Sequence, residues 1–297
     1  MNNIPSKPTL QPLTPPEPIL EHIDLPDTRL HTVTSGSGPP LIIIPATVSL
    51  ISQWLPLAQF MGLKFTTHFF ELPGHGGSSP YPVKFNSHLV PKTVAALADR
   101  LGYTTFNLMG FSFGGLLAMR TLEQLESRVD NVILLSPMLN RRALKYSHNR
   151  KWLLQQVVNV LKKPRAQQTA AQIMQTRKLQ RPLIQALSYI GNVDRRILAS
   201  KDALNIPVST LDVLSHTLDE IFNTEFQAHQ PFSTPCFFGM SVNDDLIDYC
   251  LTEQIILANF NQVKIQKFYY PYHQPPDPPT FQWLVDGFYP FLEMIDI

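Results

Sequence analysis

Residues 106–118 read Phe-Asn-Leu-Met-Gly-Phe-Ser-Phe-Gly-Gly-Leu-Leu-Ala, an apolar run that passes through Gly-x-Ser-x-Gly-Gly into a helical pattern. A sharp strand-to-helix turn here would hold Ser112 at its apex, with Gly110 and Gly114 small because larger side chains would collide there. The Ser112 hydroxyl would then stand at a helix N-terminus, where the backbone N–H of Phe113 can stabilise an oxyanion. The plainer alternative is a Gly-Ser turn without chemistry, and the strand before and helix after weigh against it. A serine hydroxyl becomes a useful nucleophile when an imidazole takes its proton, and that imidazole needs a carboxylate to fix its tautomer. After Ser112 the available histidines are His148, His216, His229 and His273.

A second pattern, Phe70-Glu71-Leu72-Pro73-Gly74-His75-Gly76-Gly77-Ser78-Ser79, is similar to the Asp-x-Pro-Gly-His-Gly-x-Ser loop of a known family, with Glu71 where Asp is usual. With both patterns in view, the chain from about Ile19 to the C-terminus resembles an α/β-hydrolase with a helical cap. The resemblance assigns His75 to a structural turn. It implies the chain order serine, acid, histidine, with the histidine after the last strand, and His273 in Phe268-Tyr269-Tyr270-Pro271-Tyr272-His273-Gln274 occupies that place. His148, His216 and His229 fall in the cap instead. For the acid, Phe237 to Asp248 resembles the family's strand, Gly, short loop and Asp-x-Leu-Val, which puts Asp244 in the acid position. The loop is slightly longer than the commonest form, so Asp245 competes with Asp244, whereas Asp248 suits the first turn of the following helix. The rival location after the sixth strand, Leu135-Ser136-Pro137, offers no carboxylate.

The resemblance also asks for a second oxyanion donor from the loop after the third strand, where the family usually has His-Gly. Here the loop reads Ile44-Pro45-Ala46-Thr47-Val48. Pro45 has no N–H, so Thr47 would be the donor if the loop keeps its usual path. The implied activity is that of a serine hydrolase cleaving an ester or thioester, with no metal and no organic cofactor. A serine at the apex argues against the aspartyl-ester chemistry of haloalkane dehalogenases and epoxide hydrolases. Carbon–carbon bond hydrolysis, acyl transfer, lyase chemistry and ligand binding without turnover are the alternatives on the same fold.

The elements that must position these residues alternate. Short strands are expected at 19–24, 29–34, 41–44, 65–72, 104–109, 129–135 and 263–269, with another near 235–239. Helices are expected at 51–61, 87–101, 113–125, 246–258 and 281–293. Four consecutive branched residues, Leu41-Ile42-Ile43-Ile44, suit a strand covered on both faces. The fold class is therefore α/β, a doubly wound, mostly parallel sheet with an inserted helical cap. Residues 1–18 form a proline-rich tail or surface strap, 19–137 and 233–297 the core, and 138–232 the cap.

The whole chain has 297 residues, 44% of them apolar, with 24 Lys plus Arg against 23 Asp plus Glu. That near balance excludes nucleic acid as the main partner. No segment reads as a signal peptide or membrane span, and Cys236 and Cys250 read as reduced packing residues, so the expected location is the cytoplasm. Between Met138 and Lys201, however, fourteen basic residues face one acid, Asp194, a local excess of +13 that leaves −12 for the rest. Within it Trp152, Leu153, Leu154, Val157, Val158, Val160 and Leu161 form an apolar stripe between Arg150, Lys151, Lys162 and Lys163. The bland expectation turns this stripe onto the active site. The sharper one has the basic helix meet an anionic carrier, acyl-CoA or acyl carrier protein, or an anionic membrane, while the site takes a small acyl substrate.

Overall fold

The computed structural model describes residues 13–175, 207–275 and 279–296. Eight strands form one sheet: β1 (Pro18–Leu25), β2 (Thr28–Ser35), β3 (Pro40–Ile44), β4 (Thr66–Phe70), β5 (Phe106–Phe111), β6 (Val129–Leu135), β7 (Cys236–Ser241) and β8 (Val263–Phe268). Their order is β1-β2-β4-β3-β5-β6-β7-β8. The β1–β2 and β2–β4 pairs are antiparallel and every other pair is parallel. This is the doubly wound sheet expected from the alternation of strands and helices.

The alternation of side chains along each central strand divides the interior into two cores. Ile42, Ile44, Leu108, Leu134 and Phe238 face one side, where they pack with α2 (Val90–Arg100), α3 (Phe113–Leu125) and α7 (Tyr249–Asn259). Leu41, Ile43, Met109, Ile133 and Phe237 face the other, against α1 (Ile51–Met61) and α8 (Phe281–Met294). A strand covered on both faces needs apolar residues at successive positions, which is why β3 and β5 read as unbroken apolar runs. The chain winds outward from β3 to β4 and then crosses back to place β5 on the other side of β3. Such a reversal leaves a crevice at the carboxyl ends of the two strands, and Ser112 follows β5 there.

Between β6 and β7 lie α4 (His148–Leu161), α5 (Pro164–Gln175) and α6 (Val208–Asn223), with no strand among the described residues of this insertion. Residues 176–206, and with them six of the fourteen cations counted above, lie outside the described residues. Helix α6 is fastened to the core: Glu220 pairs with Arg120 of α3 and accepts from Ser87, and Thr210 Oγ1 donates to the Gly74 carbonyl at 2.9 Å.

The structure corrects four expectations. The apolar stripe of α4 does not turn inward as a whole, because only Val158 is buried while Trp152, Leu153 and Val160 are exposed. The charge excess of the cap is smaller than the count to Lys201 suggests, since acids beyond that point fold back onto the cations. Arg141 and Arg142 pair with Glu225, and Lys162 with Asp219. Cys236 is buried, its thiol pushed strongly upward by burial, but Cys250 is exposed on α7 and does no packing. Finally, α7 begins at Tyr249 instead of Leu246, with Asp248 as its N-cap accepting from Leu251 N–H at 2.8 Å. The amides of Leu246 and Ile247 are engaged elsewhere, as described next.

Candidate active site

Ser112 sits between β5 and α3 with φ 53° and ψ −120°, a conformation that non-glycine residues rarely adopt. Backbone hydrogen bonds hold it there. Ser112 N–H donates to Leu135 O at 3.1 Å, and the Ser112 carbonyl accepts from Gly115 N–H at 2.9 Å and Met138 N–H at 2.8 Å. The glycines make room for the turn. A Cβ on Gly110 would lie 2.3 Å from Gly114 O, one on Gly114 would lie 2.5 Å from Ile44 O, and one on Gly115 would lie 2.4 Å from Pro137 Cβ. The elbow is thus wedged between the end of β3 and the Ser136-Pro137 turn after β6, where Ser136 is itself strained at φ 43°. The energy of these conformations is supplied by the surrounding packing.

Three side chains distant in sequence converge at this apex. His273 Nε2 lies 2.9 Å from Ser112 Oγ, and His273 Nδ1 lies 2.7 Å from Asp244 Oδ2. Asp244 is fully buried, and its other oxygen accepts the N–H groups of Leu246 at 2.9 Å and Ile247 at 2.8 Å. Burial alone would push the Asp244 carboxyl upward. The hydrogen bond to His273, its charge and the two amides outweigh that and hold the group below its ordinary value. An ionised carboxylate can only accept, so Nδ1 carries the proton and the lone pair on Nε2 faces Ser112. The imidazole also stacks on Phe111, with centroids 5.6 Å apart, and Phe111 in turn packs against Trp54 at 4.8 Å.

Asp245, the competing acid, does something different. Its Oδ1 accepts the backbone N–H of His273 at 2.7 Å and so ties down the loop that carries the imidazole. From the insertion, Lys145 Nζ donates to the Asp244 carbonyl at 2.6 Å and Lys145 N–H to Leu246 O at 2.9 Å. Sequence reasoning missed Lys145, because no motif spacing links residue 145 to residue 244. It also missed Trp54 and Phe111, whose aromatic contact with His273 depends on strand order.

The loop after β3, which carries Thr47, is pinned by neighbours. Trp54 Nε1 donates to Val48 O at 2.7 Å, Ser49 Oγ accepts from Leu72 N–H at 3.1 Å, and Ile51 N–H donates to Glu71 Oε1 at 2.8 Å. Glu71 also accepts from Gly77 N–H at 2.6 Å and meets His31 Nδ1 at 2.9 Å, so its longer side chain serves two loops at once. His75 stands apart from Ser112. It is buried, bonded through Nδ1 to Ser49 Oγ at 2.6 Å, and burial lowers its pKa to about 4. Phe113 is the first residue of α3, so its N–H has no acceptor within the helix and is available at the apex. Among the described residues, no group of three or more His, Cys, Asp or Glu could hold a metal, and no helix is long and apolar enough to cross a membrane.

The sequence profile of the alpha/beta hydrolase fold matches residues 39–212, more than half of the chain. The chain belongs to the α/β-hydrolase family. Over 116 residues it is 28% identical to a pimeloyl-[acyl-carrier protein] methyl ester esterase of Nitrosomonas europaea, covering 38% of this chain and 44% of that one. Over 103 residues it is 28% identical to an N-formylmaleamate deformylase of Pseudomonas putida, covering 34% and 38%. The chain thus spans less than half the length of these two curated relatives. Among solved structures, an esterase from Thermogutta terrifontis superposes with a TM-score of 0.61 at 14% identity, covering 84% of this chain and 90% of that one. The epoxide hydrolase CorEH superposes with a TM-score of 0.64 at 16% identity, covering 92% and 99%. At such identities the likeness concerns the fold, and the varied activities on this α/β-hydrolase scaffold leave the chemistry to the site itself.

Proposed function

We propose that this α/β-hydrolase cleaves an ester or thioester through an acyl-enzyme, with Ser112 as nucleophile, His273 as base and then acid, and Asp244 orienting His273. The observation that carries this reading is the continuous hydrogen-bonded row from Ser112 Oγ through His273 to Asp244. In the first half-reaction, Nε2 takes the hydroxyl proton as Oγ attacks the substrate carbonyl carbon. The oxyanion that forms is met by the N–H of Phe113 and, from the loop after β3, that of Thr47. The imidazolium then gives its proton to the departing alkoxide or thiolate as the C–O or C–S bond breaks. In the second half-reaction, Nε2 takes a proton from water, the hydroxide attacks the acyl-enzyme, and the free acid leaves as Ser112 regains its proton. Asp244 stays ionised throughout and stabilises the imidazolium that forms.

The ester bond in the name of the Nitrosomonas relative is of the class this site would accept. Residues 138–232 act in this scheme as the cap over the acyl group. Two free cysteines suit a reducing compartment, and we place the reaction in the cytoplasm. The test is a screen of nitrophenyl esters and acyl-CoA thioesters of graded chain length, run beside Ser112→Ala. Turnover by the native protein that Ser112→Ala abolishes is the expected result. Failure of every substrate, or a Ser112→Ala protein within tenfold of native, would overturn the proposal.

A further inference from the structure

We infer that the outward face of α4 is a docking surface for an anionic lipid bilayer. At 100° per residue, Trp152, Leu153, Gln156 and Val160 fall within an arc of about 100° on this helix. The opposite side is occupied: Val158 is buried, Gln155 Nε2 donates to Asp219 Oδ1 at 3.0 Å, and Lys162 Nζ donates to Asp219 Oδ2 at 2.7 Å. Helix α4 is therefore seated on α6 by its polar and mixed side, and its largest apolar groups face water. Trp152 is 61% exposed, Val160 53% and Leu153 42%.

Isolated exposed apolar residues need no explanation, but a tryptophan, a leucine and a valine on one helical face amount to a patch. Cations border it. Among the described residues, Lys163 in the link between α4 and α5 and Arg165 at the start of α5, both exposed, make no ion pair with a carboxylate, unlike Arg141, Arg142 and Lys162. The segment from Met138 to Lys201 also holds fourteen of the chain's 24 Lys plus Arg against one of its 23 acids. A helix with an indole and aliphatic groups outward and unpaired cations beside them suits the headgroup boundary of a bilayer, the indole among the carbonyls and the cations on phosphates. An acidic carrier protein would draw on the cations alone and would leave Trp152 unused. The cations best placed for it along the cap, Arg141, Arg142 and Lys162, are already committed to Glu225 and Asp219.

The test is co-sedimentation of the full chain with vesicles of phosphatidylcholine alone or mixed with phosphatidylglycerol, at low and high salt. Native protein, the triple variant Trp152→Ser/Leu153→Ser/Val160→Ser and the double variant Lys163→Ala/Arg165→Ala are compared, with circular dichroism and thermal unfolding as controls for folding. All five side chains are solvent-facing and outside the catalytic row, so both variants should fold. The expected result is at least tenfold preference for the anionic vesicles, weakened by salt. Each variant should lose binding about tenfold or more. Equal binding to both vesicle types, absence of binding, or native-like binding by the triple variant would overturn the inference. Capture of an acidic acyl carrier protein without vesicle binding would overturn it too. None of these outcomes depends on whether Ser112 is a nucleophile.

Discussion

Replacing each of the two neighbouring acids by its amide separates their roles sharply. In Asp244→Asn the side-chain orientation is dictated by the two backbone donors, Leu246 N–H and Ile247 N–H, which both require an oxygen at the Oδ1 position. The amide nitrogen is then forced to the Oδ2 position, 2.7 Å from His273 Nδ1, where it can only donate. The imidazole must answer with a lone pair at Nδ1, which moves its proton to Nε2 and points an N–H at Ser112. An Nε2 that carries a proton cannot take another, so acylation should fall by about 10⁴, the loss known for the equivalent change in serine proteases. In Asp245→Asn, by contrast, the amide oxygen still accepts the His273 backbone N–H, and the loss should stay below about tenfold. Asp245→Ala removes that hydrogen bond, costing about 1 kcal/mol of support to the histidine loop, or about fivefold in rate. The assay is the second-order rate of fluorophosphonate inactivation, which needs no knowledge of the natural substrate, together with kcat on a nitrophenyl ester. Equal losses in Asp244→Asn and Asp245→Asn would refute the tautomer argument.

The double variant Ser112→Ala/His273→Ala should be no slower in ester hydrolysis than either single variant, each down by about 10⁶, because the members of the row act as a unit; a loss near the product of the two would mean separate steps. Gly114→Ala should destabilise by about 3 kcal/mol or more, since its Cβ would meet the backbone carbonyl oxygens of Ile44 and Pro45 at 2.5 and 2.7 Å, while Gly102→Ala, with φ +77° and open space, should cost only about 1–2 kcal/mol of backbone strain. Urea unfolding of both ranks them, and a larger loss at Gly102 would contradict the packing account. Burial also lowers the pKa of His68 to about 4, with Thr34 and Tyr103 as its partners. The unfolded chain takes up this proton below about pH 6.5 and the folded chain does not, so stability should fall as pH drops from 6.5 to 4 and level off below, with His68 contributing on the order of 3 kcal/mol. In His68→Gln that slope should flatten, and an unchanged slope between pH 6.5 and 4 would remove His68 from the account.

The fold was legible where a local pattern carries a tertiary meaning. Leu41 to Ile44 announce a strand covered on both faces because only such a strand can afford four successive apolar side chains. The glycines around Ser112 announce an elbow because no side chain fits there. The acid was legible only to within one residue, since Asp244 and Asp245 share a loop. What distinguishes them is the direction of the Leu246 and Ile247 amides, which no spacing reveals. The same two amides delay the start of α7 to Tyr249. On α4 the periodicity of apolar residues was readable, but periodicity does not say which face meets the rest of the molecule. There α6 brings Asp219 to Gln155 and Lys162, and that polar contact turns Trp152 outward. The charge of the cap misled for a related reason: Asp219 and Glu225 lie beyond the basic run in sequence and beside it in space.

The central claim is that Ser112 is an activated nucleophile, and peptide mapping of a fluorophosphonate adduct tests it most directly. Native protein should carry one phosphonyl group, on the peptide that contains Ser112, and His273→Ala should remain unlabelled over the same time. An unmodified Ser112 in folded native protein, or equal labelling in His273→Ala, would contradict the account.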